Sequence, residues 1–357
     1  MVAPSPATLR ARAGAGLQRI WEDRGAISAA LLPAAWTFAA LAAARRQLFA
    51  RGLRESARLP VPVIVVGNLV VGGAGKTPTV IAIVEILRRH GHAPGIVSRG
   101  YGRAGDGILV LDAGASAAQV GDEPLLLQRR TGAPVAVGTD RAAAGHALLR
   151  AHAEIDVLVS DDGLQHLALE RDAEVIVFDE RGAGNGRLLP AGPLREHLPT
   201  ALGPRQIVLY NADAPSTPLP GYAARRSLAG VTALDAWWDG AAPSPTALES
   251  LRKRAVVAVA GLARPGRFFA MLRAHGLDIA ECAPGDHADF AILPWPLGAA
   301  DVVVTEKDAV KLPSSRRLGT RVWVARLDFV PEPAFEKALL ALLPFHTSTD
   351  PHGNTPA

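Results

Sequence analysis

Cysteine is nearly absent from this chain: Cys282 stands alone among 357 residues. One thiol forms no internal disulfide, which excludes the small disulfide-stapled secreted folds and agrees with a reducing compartment. The arginine-rich start also lacks the short apolar stretch and cleavage site of a secretory signal, so the sequence reads as a protein of the cytoplasmic side. Lysine is scarce as well. Only Lys76, Lys253, Lys307, Lys311 and Lys337 are lysines among 38 basic residues, so the place of each one is informative. No long polar low-complexity tract, internal repeat or heptad pattern is found, which excludes intrinsic disorder for all but the ends, and solenoid or coiled-coil architectures. What is abundant is apolar: 49% of residues, at a length that suggests two domains each able to bury a core.

The net charge of +4 is unevenly placed. Residues 1–60 hold nine arginines against Glu22, Asp23 and Glu55, a net of +6, and the rest of the chain is at −2. Nucleic acid is therefore not the expected partner; an anionic membrane surface is. The arginines flank twenty uncharged residues, 25–44, which as a helix reach about 30 Å, nominally a bilayer core. The many alanines and Pro33 argue against crossing. So do the cations on both sides (Arg10, Arg12, Arg19 and Arg24 before; Arg45, Arg46, Arg51, Arg54 and Arg58 after), which remove any positive-inside asymmetry. A segment lying in the headgroup region suits the same residues better. Leu31, Leu32, Trp36, Phe38, Leu41, Leu48 and Phe49 would face the acyl chains, with arginines reaching phosphates. An alanine-rich helical hairpin packed on the main domain is the competing reading.

From Pro60 short β-branched runs alternate with helical stretches: 63–66 then 79–90, 95–97, 134–137 then 141–152, 155–159, 174–178 and 206–210. This pattern predicts a parallel sheet covered on both faces, with its site at the carboxyl ends of the strands. Residues 212–250 turn Pro-, Ala- and Ser-rich and read as a linker or irregular crossover. A second α/β unit follows, with strands at 255–260, 301–304 and 321–325 and helices at 265–275 and 332–343. The expected organisation is a membrane-associating helical segment at 1–58, a P-loop core at 59–235, a smaller C-terminal α/β domain at 236–345 and a disordered tail at 346–357.

The strongest chemical signal follows the first strand. Gly72, Gly73, Ala74 and Gly75 let backbone amides approach a polyphosphate; Lys76 reaches its outer phosphates, Thr77 offers a hydroxyl to Mg²⁺ and Pro78 suits the first helical turn. Val70 stands where the usual P-loop has its first glycine. A nucleotide-phosphate loop also needs a carboxylate from a neighbouring strand for the metal, and the run 155–160 ends in Asp161 and Asp162. If the strand continued, alternation would put the two on opposite sides. Weaker strand-end signals are Arg99 in Ser-Arg-Gly-Tyr-Gly, Asp122 in Gly-Asp-Glu-Pro as an acceptor for a hydroxyl proton, Arg141 after Asp140, and His287 in Gly-Asp-His. Each has a plain alternative as a turn, a cap or a solvated side chain. A nucleotide-binding switch is a rival class, but Thr305-Glu306-Lys307-Asp308 has the wrong spacing for a guanine reader; a soluble sugar or nucleoside kinase is another.

Taken together the motifs resemble the tetraacyldisaccharide 4'-kinase (lipid A 4'-kinase) family. The resemblance rests on Gly67-Asn68 with GGAGKTP (72–78), SRGYG (98–102), VGDEP (120–124), DDGLQH (161–166), GNGRLLPAGPLRE (184–196), AGLARPGRFF (260–269), the Asp286-His287 pair and VVTEKDAVKL (303–312). It implies an ATP- and Mg²⁺-dependent transfer of the γ-phosphate to the 4'-hydroxyl of a tetraacylated glucosamine disaccharide 1-phosphate. The product would be the 1,4'-bisphosphate of lipid A biosynthesis. It further implies a monomer at the cytoplasmic face of the bacterial inner membrane and a C-terminal domain that closes over nucleotide. By the same resemblance Lys76 and Thr77 are phosphate and metal ligands, Asp122 is a general base with His287 as its partner, and Asp161 and Asp162 are metal and active-site acids. Gln165, His166, Arg99, Arg141, Arg195 and Glu196 line the site.

Overall fold

The computed structural model describes residues 20–21, 23–286, 288, 290–313 and 319–344. His287, Arg10, Arg12, Arg19, Glu22 and the tail from 346 lie outside the described residues.

Twelve strands form one sheet: β1 (Val63–Gly67), β2 (Pro94–Ser98), β3 (Leu109–Val110), β4 (Val135–Val137), β5 (Val157–Asp161), β6 (Ala173–Asp179), β7 (Gln206–Asn211), β8 (Tyr222–Ala233), β9 (Val256–Val259), β10 (Ile279–Cys282), β11 (Asp301–Thr305) and β12 (Arg321–Pro331). Their order is β10-β9-β11-β12-β8-β7-β6-β1-β5-β2-β4-β3. From β7 to β4 every pair is parallel, and β3 closes that edge antiparallel. All five residues of β1 and of β5 are buried, as the near-continuous aliphatic runs require of strands covered on both faces. The chain leaves β1 for β2 on one side and later fills β6 on the other, so the order reverses around β1. That reversal opens a crevice at the carboxyl ends of β1, β5 and β6.

The region read as an irregular crossover is instead the spine joining the two halves. β8 adds parallel to β7 through Leu209–Tyr222 and Tyr210–Ala223, then runs antiparallel to β12. Its sequence, YAARRSLAGVTA, mixes arginines and small residues because only part of it is buried, so neither alternation nor a β-branched run announces it. β12 likewise runs six residues beyond the expected 321–325. β3 and β10 carried no strand signal, being two exposed-edge residues and a half-buried edge strand.

The helix Lys76–Arg89 is buried on most of its circumference, at Thr79 to Val84 and at Ile86 and Leu87. It can be so because the sheet lies on one side and the helix Asp122–Thr131 on another. One apolar cluster runs from this helix through β1, β5 and β12 to Phe335 and Leu339 of the last helix, Pro333–Ala341. At the N-terminal end a short helix, Ala26–Ala30, leads into Leu32–Ala50. They are latched to the loop 184–193: Trp21 Nε1 donates to Pro190 O at 2.9 Å, Ser28 Oγ to Ala191 O at 2.5 Å, and Asn185 Nδ2 to Asp23 O at 2.8 Å. Ala35 is buried and Phe38 and Ala39 pack on the core, while Trp36 and Leu41 on the outer side are 66% and 67% exposed. Among the described residues no helix is long and apolar enough to cross a membrane.

Candidate active site

The loop between β1 and the helix Lys76–Arg89 is closed by Gly75, the residue that caps the helix in a left-handed conformation (φ +100°). A Cβ there would run into the Asn211 amide, which donates to Ala74 O at 3.0 Å, so backbone angle and space both demand glycine. The missing glycine at Val70 has a structural reason. Val70 is 1% exposed and bridges Leu194, and the flanking bonds are Val71 N to Pro193 O (2.9 Å) and Arg195 N to Leu69 O (2.7 Å). The incoming chain is thus paired like a strand, with a packed side chain where a turn would need none. The same pairing delivers Arg195 and Glu196 to the crevice.

Lys76 Nζ sits 3.3 Å from Asn68 Oδ1 and 3.6 Å from Asp162 Oδ1. Asp161 ends β5, and the chain breaks from the strand immediately after it, because Asp162 takes φ +49°. Strict alternation therefore stops at this point and the Asp162 carboxylate reaches Lys76. A non-glycine residue held in this region stores about 1–3 kcal/mol of strain, which the surrounding contacts must sustain. Arg195 Nη1 contacts Asp162 Oδ1 at 3.3 Å and Gln165 Oε1 at 3.2 Å, and Gln165 Nε2 donates to Glu196 Oε1 at 3.1 Å. Asp161 is fully enclosed. Ser98 Oγ donates to its Oδ2 at 3.2 Å, and Oδ1 is buried with no hydrogen-bond partner among the described residues. Burial, with Glu123 and Asp162 adding repulsion, pushes this carboxyl up to about 7, against the pull of Lys76 and Ser98.

Arg141, at the start of the helix Arg141–Ala151, is buried and donates from Nη2 to Asp162 O at 3.3 Å. Burial lowers its pKa, Asp161 and Asp162 oppose that, and Arg99, exposed at the end of β2, adds repulsion. His166 Nε2 is buried without a partner among the described residues; burial and the nearby Arg141, Arg171 and Arg45 hold this imidazole at about 4, hence neutral at physiological pH. Thr77 is half-buried in the first turn beside Lys76.

Asp122 and Glu123 open the helix Asp122–Thr131, behind Gly121 at φ +94°. Their cations come from the other half of the sheet. Lys311 Nζ is 3.5 Å from Asp122 Oδ2, and Lys307 Nζ is 3.0 Å from both Glu123 Oε1 and Asp286 Oδ1. Burial acts to lower the Lys307 pKa, but Glu123 and Asp286 outweigh it and leave the ammonium more basic than usual. Thr305-Glu306-Lys307-Asp308 is consumed by the fold: Asp308 N bonds the Thr305 hydroxyl at 3.2 Å and Asp308 Oδ2 accepts from Gly261 N at 2.9 Å. The motif Leu262-Ala263-Arg264-Pro265 lies over the phosphate loop, with Ala263 Cβ 3.6 Å from where a Cβ on Gly73 would stand. Asn68, Ser98, Glu123, Lys307 and Lys311 were not among the expected site residues. The two lysines had a signal in their rarity, since three of the chain's five lysines meet at this crevice.

The family described as tetraacyldisaccharide-1-P 4'-kinase (LpxK) matches residues 27–344. A tetraacyldisaccharide 4'-kinase of Methylibium petroleiphilum is 57% identical over 341 residues, covering 94% of this chain and 95% of that protein. The one from Leptothrix cholodnii is 55% identical over 337 residues, covering 93% and 97%. Among solved structures, LpxK from Aquifex aeolicus in complex with ATP matches with a TM-score of 0.73 at 27% identity, over 89% of this chain and 99% of that one. With a parallel sheet, a glycine loop on its central strand and the paired aspartates beside it, this chain belongs to the tetraacyldisaccharide-1-phosphate 4'-kinase family.

Proposed function

We propose that this chain transfers the γ-phosphate of ATP to the 4'-hydroxyl of tetraacyldisaccharide 1-phosphate at the cytoplasmic face of the inner membrane, acting as a monomer. The observation that carries the site assignment is the convergence of Lys76, Asp161, Asp162 and the Asp122–Glu123 pair on one crevice at the strand ends. The loop amides of 72–75 and Lys76 bind the β- and γ-phosphates, and Arg99, Arg141 and Arg195 hold further anionic groups of donor and acceptor. Thr77, Asp161 and Asp162 are the residues suited to hold Mg²⁺. Asp161 Oδ1 is buried and unpartnered among the described residues, and a carboxyl kept at about 7 by its surroundings has reason to take up a cation. One or two carboxylates suffice, since this ion keeps waters and phosphate oxygens as its other ligands. When bound, Mg²⁺ would neutralise charge on the transferring phosphates.

Asp122 accepts the proton of the attacking hydroxyl as its oxygen bonds to the γ-phosphorus and the bond to the β-phosphate oxygen breaks, releasing ADP. Lys311 holds that carboxylate in place, and His287, outside the described residues, is its assigned partner. The two halves of the sheet act as a P-loop core at 59–235 and a smaller unit at 236–345 that closes on the nucleotide. The membrane reading is supported by the helix Leu32–Ala50, which packs Ala35 and Phe38 on the body yet leaves Trp36, Leu41 and Leu48 exposed on its outer side.

The test is a reaction of the purified chain with Mg²⁺, labelled ATP and detergent-dispersed lipid acceptor. Labelled 1,4'-bisphosphate lipid is expected; hydrolysis to free phosphate with no labelled lipid would sink the reading. Removing residues 1–50 should release the protein from vesicles, and persistent co-sedimentation would place the anchor elsewhere.

A further inference from the structure

The helix Leu32–Ala50 has a regular inner stripe. Ala35, Ala39 and Ala42 recur at helical spacing along the side turned to the body, and Arg46 is the next position on that stripe. Every other place on it is small or apolar, so a guanidinium there does not serve packing. It serves Glu196: Arg46 Nη1 lies 2.5 Å from Glu196 Oε2. The other oxygen of Glu196 accepts from Gln165 Nε2 at 3.1 Å, Gln165 Oε1 accepts from Arg195 Nη1 at 3.2 Å, and that same Nη1 is 3.3 Å from Asp162 Oδ1. Asp162 Oδ1 in turn stands 3.6 Å from Lys76 Nζ. An unbroken polar chain of five contacts therefore runs from the outer helix to the phosphate-loop lysine.

We propose that Arg46 is a positioning residue that couples seating of the membrane-side helix to the geometry of Lys76 and Asp162. The arrangement of Asp162 makes it sensitive to such a link. Its backbone is held at a positive φ, and its carboxylate is shared between Arg195 and Lys76, so losing the tether on Glu196 frees Gln165 and Arg195 to re-pair. Arg46 differs in this from its neighbour Arg45, which is exposed. A helix that shifts when its outer face enters a lipid surface changes the Arg46–Glu196 contact first, and the carboxylate beside the phosphates last. The coupling rests on the kinase reading for its purpose, but by linkage it has a consequence that needs no lipid acceptor. Occupancy of a lipid surface and occupancy of the nucleotide site must alter one another's affinity equally.

The experiment compares full-length wild type, Arg46→Ala and Arg46→Lys. The dissociation constant of a fluorescent ATP analogue with Mg²⁺ is measured with and without phosphatidylglycerol vesicles, alongside vesicle co-sedimentation and thermal melting. Vesicles are expected to change the wild-type constant by about five-fold. Arg46→Ala should lose that response while keeping its melting temperature and its vesicle binding, and Arg46→Lys should regain part of it. In turnover assays Arg46→Ala should lower kcat about ten-fold with little change in KM for ATP, and adding Glu196→Gln to it should cost no more than Glu196→Gln alone. Equal vesicle responses in wild type and Arg46→Ala, including no response in either, would overturn the coupling. So would a loss of activity that merely follows lost vesicle binding, or effects of the two substitutions that multiply. Failure of the wild type to make labelled lipid would instead strike the functional reading and leave the binding comparison legible.

Discussion

Asp161 and Asp162 reach the crevice from the end of β5, in the half of the sheet that also carries the phosphate loop, and their charged neighbours Lys76, Arg141 and Arg195 belong to that half too. Asp122 and Glu123 reach it from a helix of the same half, but Lys311 and Lys307, which hold them, come from the far half, beyond β8 and β12. The first group is carried by strands of one half, the adjacent β1 and β5 among them, and the segments that follow them. The second is complete only when both halves stand in register. On the proposed roles, the phosphate-binding group draws its charges from one half of the sheet, while the Asp122 acceptor draws its cation from the other.

Four measurements break or sharpen this contrast. Lys76→Ala should have the largest effect, lowering kcat about 10³-fold, because it removes the charge aimed at the transferring group; a loss under ten-fold would dissolve the distinction of the first site. Asp122→Ala should lower kcat about 10²-fold while the nucleotide dissociation constant stays within about two-fold, since a proton acceptor acts mainly in the transition state. If nucleotide affinity falls in parallel, Asp122 belongs with the phosphate-binding group. Lys307→Met and Lys311→Met should each reduce kcat by about ten-fold, with nucleotide affinity retained, and their double variant should fall short of the product because they brace adjacent acids. Full multiplicativity would separate them. The smallest effect concerns His166. Its imidazole titrates near 4 in the folded chain against about 6.5 when exposed, so the unfolded state takes up a proton first. Stability should decline as pH falls from about 6.5 to about 4 and level off below; His166→Gln should flatten that window in urea titrations, and an unchanged slope would assign it to other groups.

Much of the phosphate-loop half was legible in the sequence because its determinants are local. Val63–Val66 read as a buried strand, Gly75 and Lys76 as a loop entering a helix, and Asp161–Asp162 as acids leaving a strand, all within short stretches whose periodicity and residue types carry the information. β8 was not legible, since a strand that pairs with β7 at its first two residues and with β12 along the rest, and is only partly buried, has no single buried face to repeat. Asn185 had a motif around it but no visible purpose until the structure put its amide on Asp23 O and Ser28 Oγ. Lys307 and Lys311 could be singled out by rarity, yet not paired. Their acids are more than 180 residues away, and nothing local encodes that meeting.

What the amino-acid order determined by itself was chemistry that depends on neighbours along the chain: the amide-rich glycine turn, the helix that follows, the aliphatic runs of a covered parallel sheet, and a charge confined to residues 1–60. The tertiary structure alone decided which acid faces which cation. It turned Asp162 out of strand alternation, carried Lys307 and Lys311 across the sheet, and set Arg46 against Glu196. The reason is physical: backbone preference and burial period act over a few residues, whereas an ion pair needs only proximity, and proximity here is made by strands that meet far from their order in the chain.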